Sequence, residues 1–227
     1  MFKKAKFKFC KAPFASIYVR PHVKVNPVDP PKFELGFCCV QSKLYHIEDA
    51  TKETIEDWWK GDYAQKFRKQ MLNGEWPDQC SMCKWQENNN VESNIETHSR
   101  IPIEKYDEAV GNEIGKPKYV DYRPDNLCNL MCTMCSPGNS SLIEEMWRKV
   151  PINPTQSWHK FSKGASEDDI AIEDDYVTKK LLGNHTIQLK VLGGEPTINK
   201  KVHSVFKYAI DKGYAKNIDL KVTTNFT

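Results

Sequence analysis

Three cysteines fall within eight residues near the middle of the chain, in the stretch CNLMCTMC from Cys128 to Cys135. Thiolates hold iron–sulfur clusters, and a cubane cluster has four irons to ligate. A loop that supplies three thiolates leaves one iron open, just as a catalytic zinc keeps one position for water or substrate. The spacing of Cys128, Cys132 and Cys135 therefore predicts a cluster site with an open coordination position.

The other five cysteines lie nearer the N-terminus. Cys80 and Cys83 have the Cys-x2-Cys spacing that is common among metal ligands. Cys10 and one of the adjacent pair Cys38 and Cys39 would complete a set of four thiolates. Four thiolates bind zinc as a tetrahedral structural site or hold an iron–sulfur cluster, and the thiolates alone do not distinguish the two.

Composition and charge exclude several classes of protein. No apolar run in the 227 residues is long enough to span a membrane, and the basic start MFKKAKFKF lacks the apolar stretch of a secretory signal. The net charge of +3 is too small to indicate nucleic-acid binding. We expect a cytoplasmic protein, because clustered thiols in a reducing compartment are metal ligands or catalytic groups rather than disulfides.

The segments around the cysteine trio follow the pattern of a parallel α/β sheet. A strand is predicted before the trio and a helix after it, with Leu142, Met146 and Val150 on one face of that helix. A second strand, a second helix and a third strand follow, and this alternation is typical of βαβ units. Ligands of such sheets bind where the strands end. The predicted segments are 116–123, 141–150, 186–194, 199–213 and 217–225.

Two further motifs stand at predicted strand ends. GGEP, from Gly193 to Pro196, follows the second strand, and TTN, from Thr223 to Asn225, ends the third. Together with the Cys-x3-Cys-x2-Cys loop, they give residues 117–227 a resemblance to the radical S-adenosylmethionine enzymes. The three motifs in this order are far more specific than any one of them.

The resemblance implies a fold and a reaction. The fold would be part of a (β/α) barrel, with a 4Fe-4S cluster on the trio. S-adenosylmethionine would bind the open iron through its amino and carboxylate groups. An electron donor would reduce the cluster, whose electron splits S-adenosylmethionine into methionine and a 5′-deoxyadenosyl radical for hydrogen abstraction.

The resemblance also assigns cofactor-binding residues. Gly193 and Gly194 would let the backbone approach S-adenosylmethionine, and Glu195 would face its ammonium group. Met134 stands where the family has an aromatic residue against adenine, and its polarizable side chain could cover the ring. Asn225 would help to hold the cofactor.

The N-terminal segment, about residues 10–87, resembles the twitch module, a shortened relative of the SPASM domain that carries an auxiliary iron–sulfur cluster. The matching ligands are Cys10, Cys38 or Cys39 with Cys38 preferred, Cys80 and Cys83. This chain departs from the family in that the module precedes the barrel. It also has no further cysteine directly after Cys83, so one auxiliary cluster is expected.

These assignments divide the chain into three parts: a small α+β cysteine-rich module at 1–90, a linker at 91–115 and the N-terminal part of a barrel at 116–227. Three strands cannot close a barrel, so a C-terminally truncated chain is expected. By resemblance the substrate is a peptide or protein, and a small molecule is the second possibility. The alternative is a non-catalytic binding or electron-transfer module stapled by zinc or iron–sulfur.

Local patterns in the N-terminal part predict further elements. Alternating Lys and Phe indicate a strand at 6–9, and β-branched and aromatic residues indicate another at 15–20. A long loop is expected at 22–36. Apolar spacing predicts helices at 54–60 and 62–72, the second capped by Asp62 and ended by Asn73 and Gly74.

Overall fold

One six-stranded sheet organises the described part of the chain. The computed structural model describes residues 7–21, 32–100, 115–149 and 180–226. The strands lie in the order β3-β2-β1-β4-β5-β6, so that β1 and β4 are the central pair. Their bounds are β1 Ser16–Pro21, β2 Phe33–Gly36, β3 Tyr45–Ile47, β4 Tyr119–Tyr122, β5 Gln188–Val191 and β6 Asp219–Val222.

The sheet is mostly parallel and joins the two segments that were predicted as separate domains. The strands β1, β4, β5 and β6 pair in parallel, whereas β1, β2 and β3 pair antiparallel. Segment 1–90 supplies three strands and segment 116–227 supplies three. The strands predicted at 116–123, 186–194 and 217–225 are confirmed as β4, β5 and β6. A mixed α/β fold results.

Seven helices and four 3-10 turns are seen in the described residues, and none of these helices is long and apolar enough to cross a membrane. The helices are α1 Ala12–Ala15, α2 Ile55–Lys60, α3 Asp62–Leu72, α4 Ser81–Asn88, α5 Asn94–Ser99, α6 Ser141–Lys149 and α7 Lys200–Asp211. The 3-10 turns are Asp78–Cys80, Pro137–Asn139, Pro196–Ile198 and Ala215–Asn217.

The central strands have one apolar face and one polar face. Val120 of β4 stands opposite Leu189 of β5, and both are buried in one core with Val202 of α7. The next residues along, Asp121 and Lys190, also stand opposite each other and are only partly buried. Because side chains alternate along a strand, a row of polar side chains covers the other face of the sheet.

The two helices of the N-terminal segment form largely as predicted. Thr54 caps α2 through a capping box with Asp57, and α3 ends at Asn73 and Gly74, whose φ is +74°. The prediction that Asp62 caps α3 is wrong. Asp62 is the first residue of the helix, and Gly61 takes the cap position without a side-chain hydrogen bond.

One predicted helix face needs correction. Leu142 and Met146 of α6 are exposed, and Ile143 and Glu144 are buried in their place; Val150 lies outside the described residues. Glu144 is buried because its carboxylate accepts a hydrogen bond from the amide of Asn126, at 2.7 Å. A polar residue with a buried partner turns the helix away from the face that apolar spacing alone predicts.

Three further local predictions also differ from the structure. Residues 7–9 form no strand, and residue 6 lies outside the described part. The end of the loop predicted at 22–36 is strand β2, while 22–31 are not described. The predicted linker at 91–115 contains α5, and 101–114 are not described.

The side chain of Arg68 is fully buried and joins three parts of the N-terminal segment. Its Nε donates to the carbonyl of Pro13, and its Nη1 donates to the carbonyl of Trp59, both at 2.7 Å. Its guanidinium also lies over the rings of Trp59 and Phe37, at 4.4 and 5.4 Å. Burial lowers the pKa of Arg68 to about 9. Since Pro13 follows Cys10 closely and Phe37 precedes Cys38, Arg68 positions two cysteine-bearing segments.

Replacing Arg68 with Ala should lower the free energy of unfolding by about 2–4 kcal/mol, because two buried carbonyls lose their donor and a void opens between the rings. Equilibrium urea unfolding measures the loss. Lys66→Ala is the matched control, since Lys66 is exposed on the same helix. Equal stability of the two variants would contradict the role of Arg68.

Candidate functional site

Glu195 of the GGEP motif connects the loops that follow the three adjacent parallel strands. Its backbone N–H donates to the carbonyl of Leu127, one residue before the first cysteine of the trio, at 2.7 Å. Its carboxylate accepts hydrogen bonds from the Thr224 hydroxyl at 2.6 Å and from the Asn225 backbone N–H at 2.7 Å. The cysteine loop, GGEP and TTN are therefore brought together at one edge of the sheet.

The Glu195 carboxylate is held ionised although the residue is only 1% exposed. Burial by itself would raise its pKa, but hydrogen bonds from Asn225, Thr224 and Thr197 outweigh that effect and lower it. Thr197 contributes both its backbone N–H and its hydroxyl. The four hydrogen bonds account for the charge without a cation, so the visible role of Glu195 is to position the neighbouring loops. Its contact with a cofactor ammonium stays a prediction.

The two glycines of GGEP are needed for close packing against the backbone before the cysteines. Gly193 and Gly194 have φ of +93° and +52°, which favour glycine. A Cβ at Gly194 would overlap the carbonyl of Leu127, and one at Gly193 would lie 3.0 Å from the carbonyl oxygen of Asp125. The sequence suggested room for a ligand as the reason for these glycines, whereas the structure shows room for the cysteine loop. The close approach of the Gly193 and Gly194 backbone to a cofactor stays a prediction.

The cysteine trio lies on a loop that is anchored at both ends. The backbone N–H of Cys128 donates to the Ser141 hydroxyl at 3.2 Å, at the start of α6. The backbone N–H of Cys135 donates to the carbonyl of Cys132 at 2.9 Å, which closes a tight turn. Cys128 is buried, Cys135 is half-buried and Cys132 is exposed. The thiols are thus presented from one short loop, two of them at the surface.

Met134 and Asn225 occupy different surroundings. Met134 is 94% exposed at the tip of the cysteine loop. The Asn225 amide instead donates to the side-chain oxygen of Asn129, at 3.1 Å, and so reaches the cysteine loop. Asn225 therefore supports the loop in addition to its backbone contact with Glu195. The predicted contacts of Met134 and Asn225 with a cofactor are untested.

A second polar network lies beneath the loop and was missed in the sequence. The carboxylate of Asp125 accepts from the Leu127 backbone N–H at 2.9 Å and from the Asn199 amide at 2.7 Å. The Lys201 ammonium, only 1% exposed, lies 3.5 Å from the same carboxylate. An Asp directly after a strand is typical of a turn, and that signal could have identified Asp125. No local pattern indicates Asn199 or Lys201.

Backbone N–H groups surround the N-terminal cysteines. The thiol of Cys10 accepts from the N–H of Ala12, and that of Cys38 accepts from Val40. The thiol of Cys83 accepts from the N–H groups of Asn94 and Ile95, at the start of α5. Such N–H to sulfur bonds stabilise thiolates in metal sites and tune iron–sulfur centres. The donor chemistry therefore fits a thiolate-bound metal.

The structure links four of these thiols electrostatically. Burial raises the pKa of Cys10 and that of Cys80 to about 12, with smaller contributions to that rise from Cys83 for Cys10 and from Cys10 and Cys83 for Cys80. Burial also raises the pKa of Cys38, followed by the charges of Cys10 and Cys80, whereas Cys39 has a smaller effect. The predicted ligands therefore perturb one another's pKa; Cys38 is the cysteine linked to Cys10 and Cys80, whereas Cys39 acts on Cys83.

The side chains as they stand are not grouped as a metal site. Among the described residues, no set of three or more His, Cys, Asp or Glu side chains could hold a metal ion as arranged. The thiols are near enough to affect one another's pKa without forming a ligand set. The assignment of both cysteine groups as metal ligands therefore stays a prediction.

Substituting Cys38 with Ala should abolish metal binding by the N-terminal cysteines, because it removes the thiol whose pKa Cys10 and Cys80 perturb. The adjacent Cys39→Ala substitution should leave that metal bound. Both changes are best made in a Cys132→Ala background, where the trio no longer contributes a cluster, and the metal content measured by elemental analysis. Loss of metal from Cys39→Ala with retention in Cys38→Ala would reverse the assignment.

Glu195→Gln should lower the free energy of unfolding by about 1–3 kcal/mol at neutral pH, since an amide replaces an oxygen that faces hydrogen-bond donors. Because folding lowers the pKa of Glu195, its contribution is present above the pKa of an unfolded Glu, about 4.3. It is lost as the pH falls through the folded value. Thermal unfolding across pH should therefore show the two proteins converging in acid.

Glu145→Gln is the control for this experiment, because Glu145 is exposed on α6 and pairs only with Lys149. It should unfold like the original protein at every pH. A Glu195→Gln protein that tracks this control would show that the Glu195 carboxylate does not hold the loops together.

Comparison with known proteins finds no relative of the chain. No protein-family model, no curated protein and no solved structure matches the chain. A function for the chain must therefore be argued from its own residues.

Proposed function

We propose that the chain belongs to a radical S-adenosylmethionine enzyme, with Cys128, Cys132 and Cys135 as the ligands of a 4Fe-4S cluster. The observation that carries the proposal is the position of buried Glu195, whose carboxylate binds TTN and whose backbone N–H binds the carbonyl of Leu127, next to the trio. Three motifs that are far apart in the sequence meet at the strand ends, where α/β proteins bind ligands.

The residues of the trio fit a cluster with one open iron. Cys132 is exposed and Cys135 is half-buried, so that a cluster on the loop can be reached from solvent. When bound, the cluster and S-adenosylmethionine supply reductive cleavage of a carbon–sulfur bond and a 5′-deoxyadenosyl radical that abstracts hydrogen. The exposed side chain of Met134 stands next to Cys135, where it can cover an adenine ring.

The contribution of the chain is mostly positional. Glu195 fixes the backbone of Asn225, and the Asn225 side chain in turn supports Asn129 of the cysteine loop. The glycines let the GGEP turn lie directly on the backbone before Cys128. Each loop is thus held by its neighbour, which limits the motion of the bound cofactor relative to the sheet.

We further propose an auxiliary iron–sulfur cluster on Cys10, Cys38, Cys80 and Cys83. It is supported by four thiols that perturb one another's pKa and by the backbone N–H groups that face three of the sulfurs. The same thiols also suit zinc, which would make the N-terminal part a stapled scaffold. The substrate proposed is a peptide or protein, with a small molecule second, and the reaction needs an electron donor.

To test the proposal, the protein is purified without oxygen and its content of iron, sulfide and zinc is measured. Dithionite and S-adenosylmethionine are then added, and the 5′-deoxyadenosine formed is measured. Cys132→Ala should abolish 5′-deoxyadenosine formation and remove one cluster, because it takes away a ligand without disturbing the buried core. Cys83→Ala should remove the other metal and leave some 5′-deoxyadenosine formation.

Other outcomes would lead to different conclusions. Protein that binds zinc alone would favour the stapled scaffold, and iron without cleavage would favour electron transfer. Loss of the same metal in both variants would show that the two cysteine groups are not separate sites.

A further inference from the structure

A cavity of about 280 Å³ lies on the polar face of the sheet, away from the cysteine trio. Its volume is close to the lower end of ligand pockets, roughly 300 Å³. The strands β4, β5 and β6 form its floor through Asp121, Lys190 and Lys221, and α5 forms a wall through Thr97 and His98. The trio and the GGEP and TTN motifs do not line it, so it is a separate feature of the molecule.

The floor of the cavity carries two lysines side by side. Lys190 stands opposite Asp121 across β4 and β5, and it stands opposite Lys221 across β5 and β6. Like charges directly opposite each other on one face of a sheet are destabilising. An anion bound above Lys190 and Lys221 would relieve that repulsion.

The charges around the cavity leave an excess of cations. Among the described residues that line it, Arg100, Lys190 and Lys221 are cationic and Asp121 is the one carboxylate. That carboxylate is shared, since Arg123 Nε lies 3.3 Å from one of its oxygens and Lys190 Nζ lies 3.5 Å from the other. Lys221 Nζ lies 3.6 Å from a carboxylate oxygen of exposed Asp219. A concave site lined mainly by one sign of charge attracts the opposite charge.

His98 provides a neutral polar group in the wall. Burial, together with the charge of Lys190, lowers the pKa of His98 to about 4, so the ring is neutral at physiological pH. The amide of Asn94 lies 3.1 Å from Nε2, so it can donate to this nitrogen and leave Nδ1 to carry the proton. A neutral imidazole with an N–H can donate to an anion without adding charge. The effect of Lys190 on His98 also shows that the positive potential reaches the wall of the cavity.

We propose that this cavity binds a small oxyanion, a phosphate or a carboxylate group, held by Lys190 and Lys221. Cys38 and Cys39 also line the cavity, so its occupant lies beside the N-terminal cysteines. Under the proposed function, this occupant would be the anionic part of the substrate. Binding itself depends only on the cavity, so the site and the radical chemistry can be tested separately.

Isothermal titration calorimetry with inorganic phosphate and with succinate, at constant ionic strength, tests the site and distinguishes the two sources of the anion. We expect saturable binding of at least one. Lys190→Gln and Lys221→Gln should each weaken it by about tenfold, which corresponds to about 1.4 kcal/mol. The control Lys207→Gln removes the same charge from an exposed position on α7 and should have no effect.

Thr97→Trp separates a cavity from a general attraction to positive charge. It fills the space from the exposed face of α5 and leaves every charge in place, so binding should be lost. Retained binding in Thr97→Trp, an equal loss in Lys207→Gln, or the absence of saturable binding by the unaltered protein would each overturn the proposal. If Thr97→Trp does not fold, Lys190→Gln and Lys221→Gln still test the proposal, because their positions are at least partly exposed.

Discussion

The arrangement of the candidate site depends on one buried carboxylate that is satisfied without a cation. Burying a charge is costly unless it is fully hydrogen-bonded, and Glu195 meets that condition with four donors from Thr197, Thr224 and Asn225. Two of the donors are backbone N–H groups, so the carboxylate fixes main chain as well as the two threonine side chains. The loops after β5 and β6 therefore cannot move independently, and the Glu195 N–H extends the constraint to the loop after β4.

Arg68 is a buried positive charge in the N-terminal segment, and it too must be stabilised by hydrogen bonds. Its guanidinium donates to the carbonyl oxygens of Pro13 and Trp59 and lies over aromatic rings, and burial lowers the pKa of Arg68. In both places a buried charge holds backbone segments that bear or adjoin cysteines. An ion pair would fix two side chains, whereas a charge that is hydrogen-bonded to main-chain groups fixes the path of the backbone.

The sequence predicts local structure well where the apolar pattern alone determines it. The strands β4 and β5 and the helices α2 and α3 could be predicted, because their buried residues recur at the expected spacing, whereas the exposed strand β6 follows from the alternation of strands and helices. The face of α6 could not, because Glu144 is buried by a hydrogen bond to Asn126 that no periodicity reveals. The pairing of β1 with β4 could not either, since the residues that pair, such as Ile17 and Val120, are about a hundred positions apart.

That long-range pairing determines how the two cysteine groups relate. Cys10 precedes β1 and Cys38 follows the antiparallel β2, so both belong to the edge where the parallel strands begin. Cys128 follows β4, at the edge where they end. A strand of four residues is about 13 Å long, and that length lies between the sheet edge that bears Cys10 and Cys38 and the edge that bears Cys128. The polar face between them holds the cavity with Lys190, and a molecule bound there would lie between the two cysteine groups. If the N-terminal segment formed a module apart from the sheet, nothing would fix the spacing between the two cysteine groups. Because β1 is part of the sheet, the hydrogen bonds between β1 and β4 set that spacing.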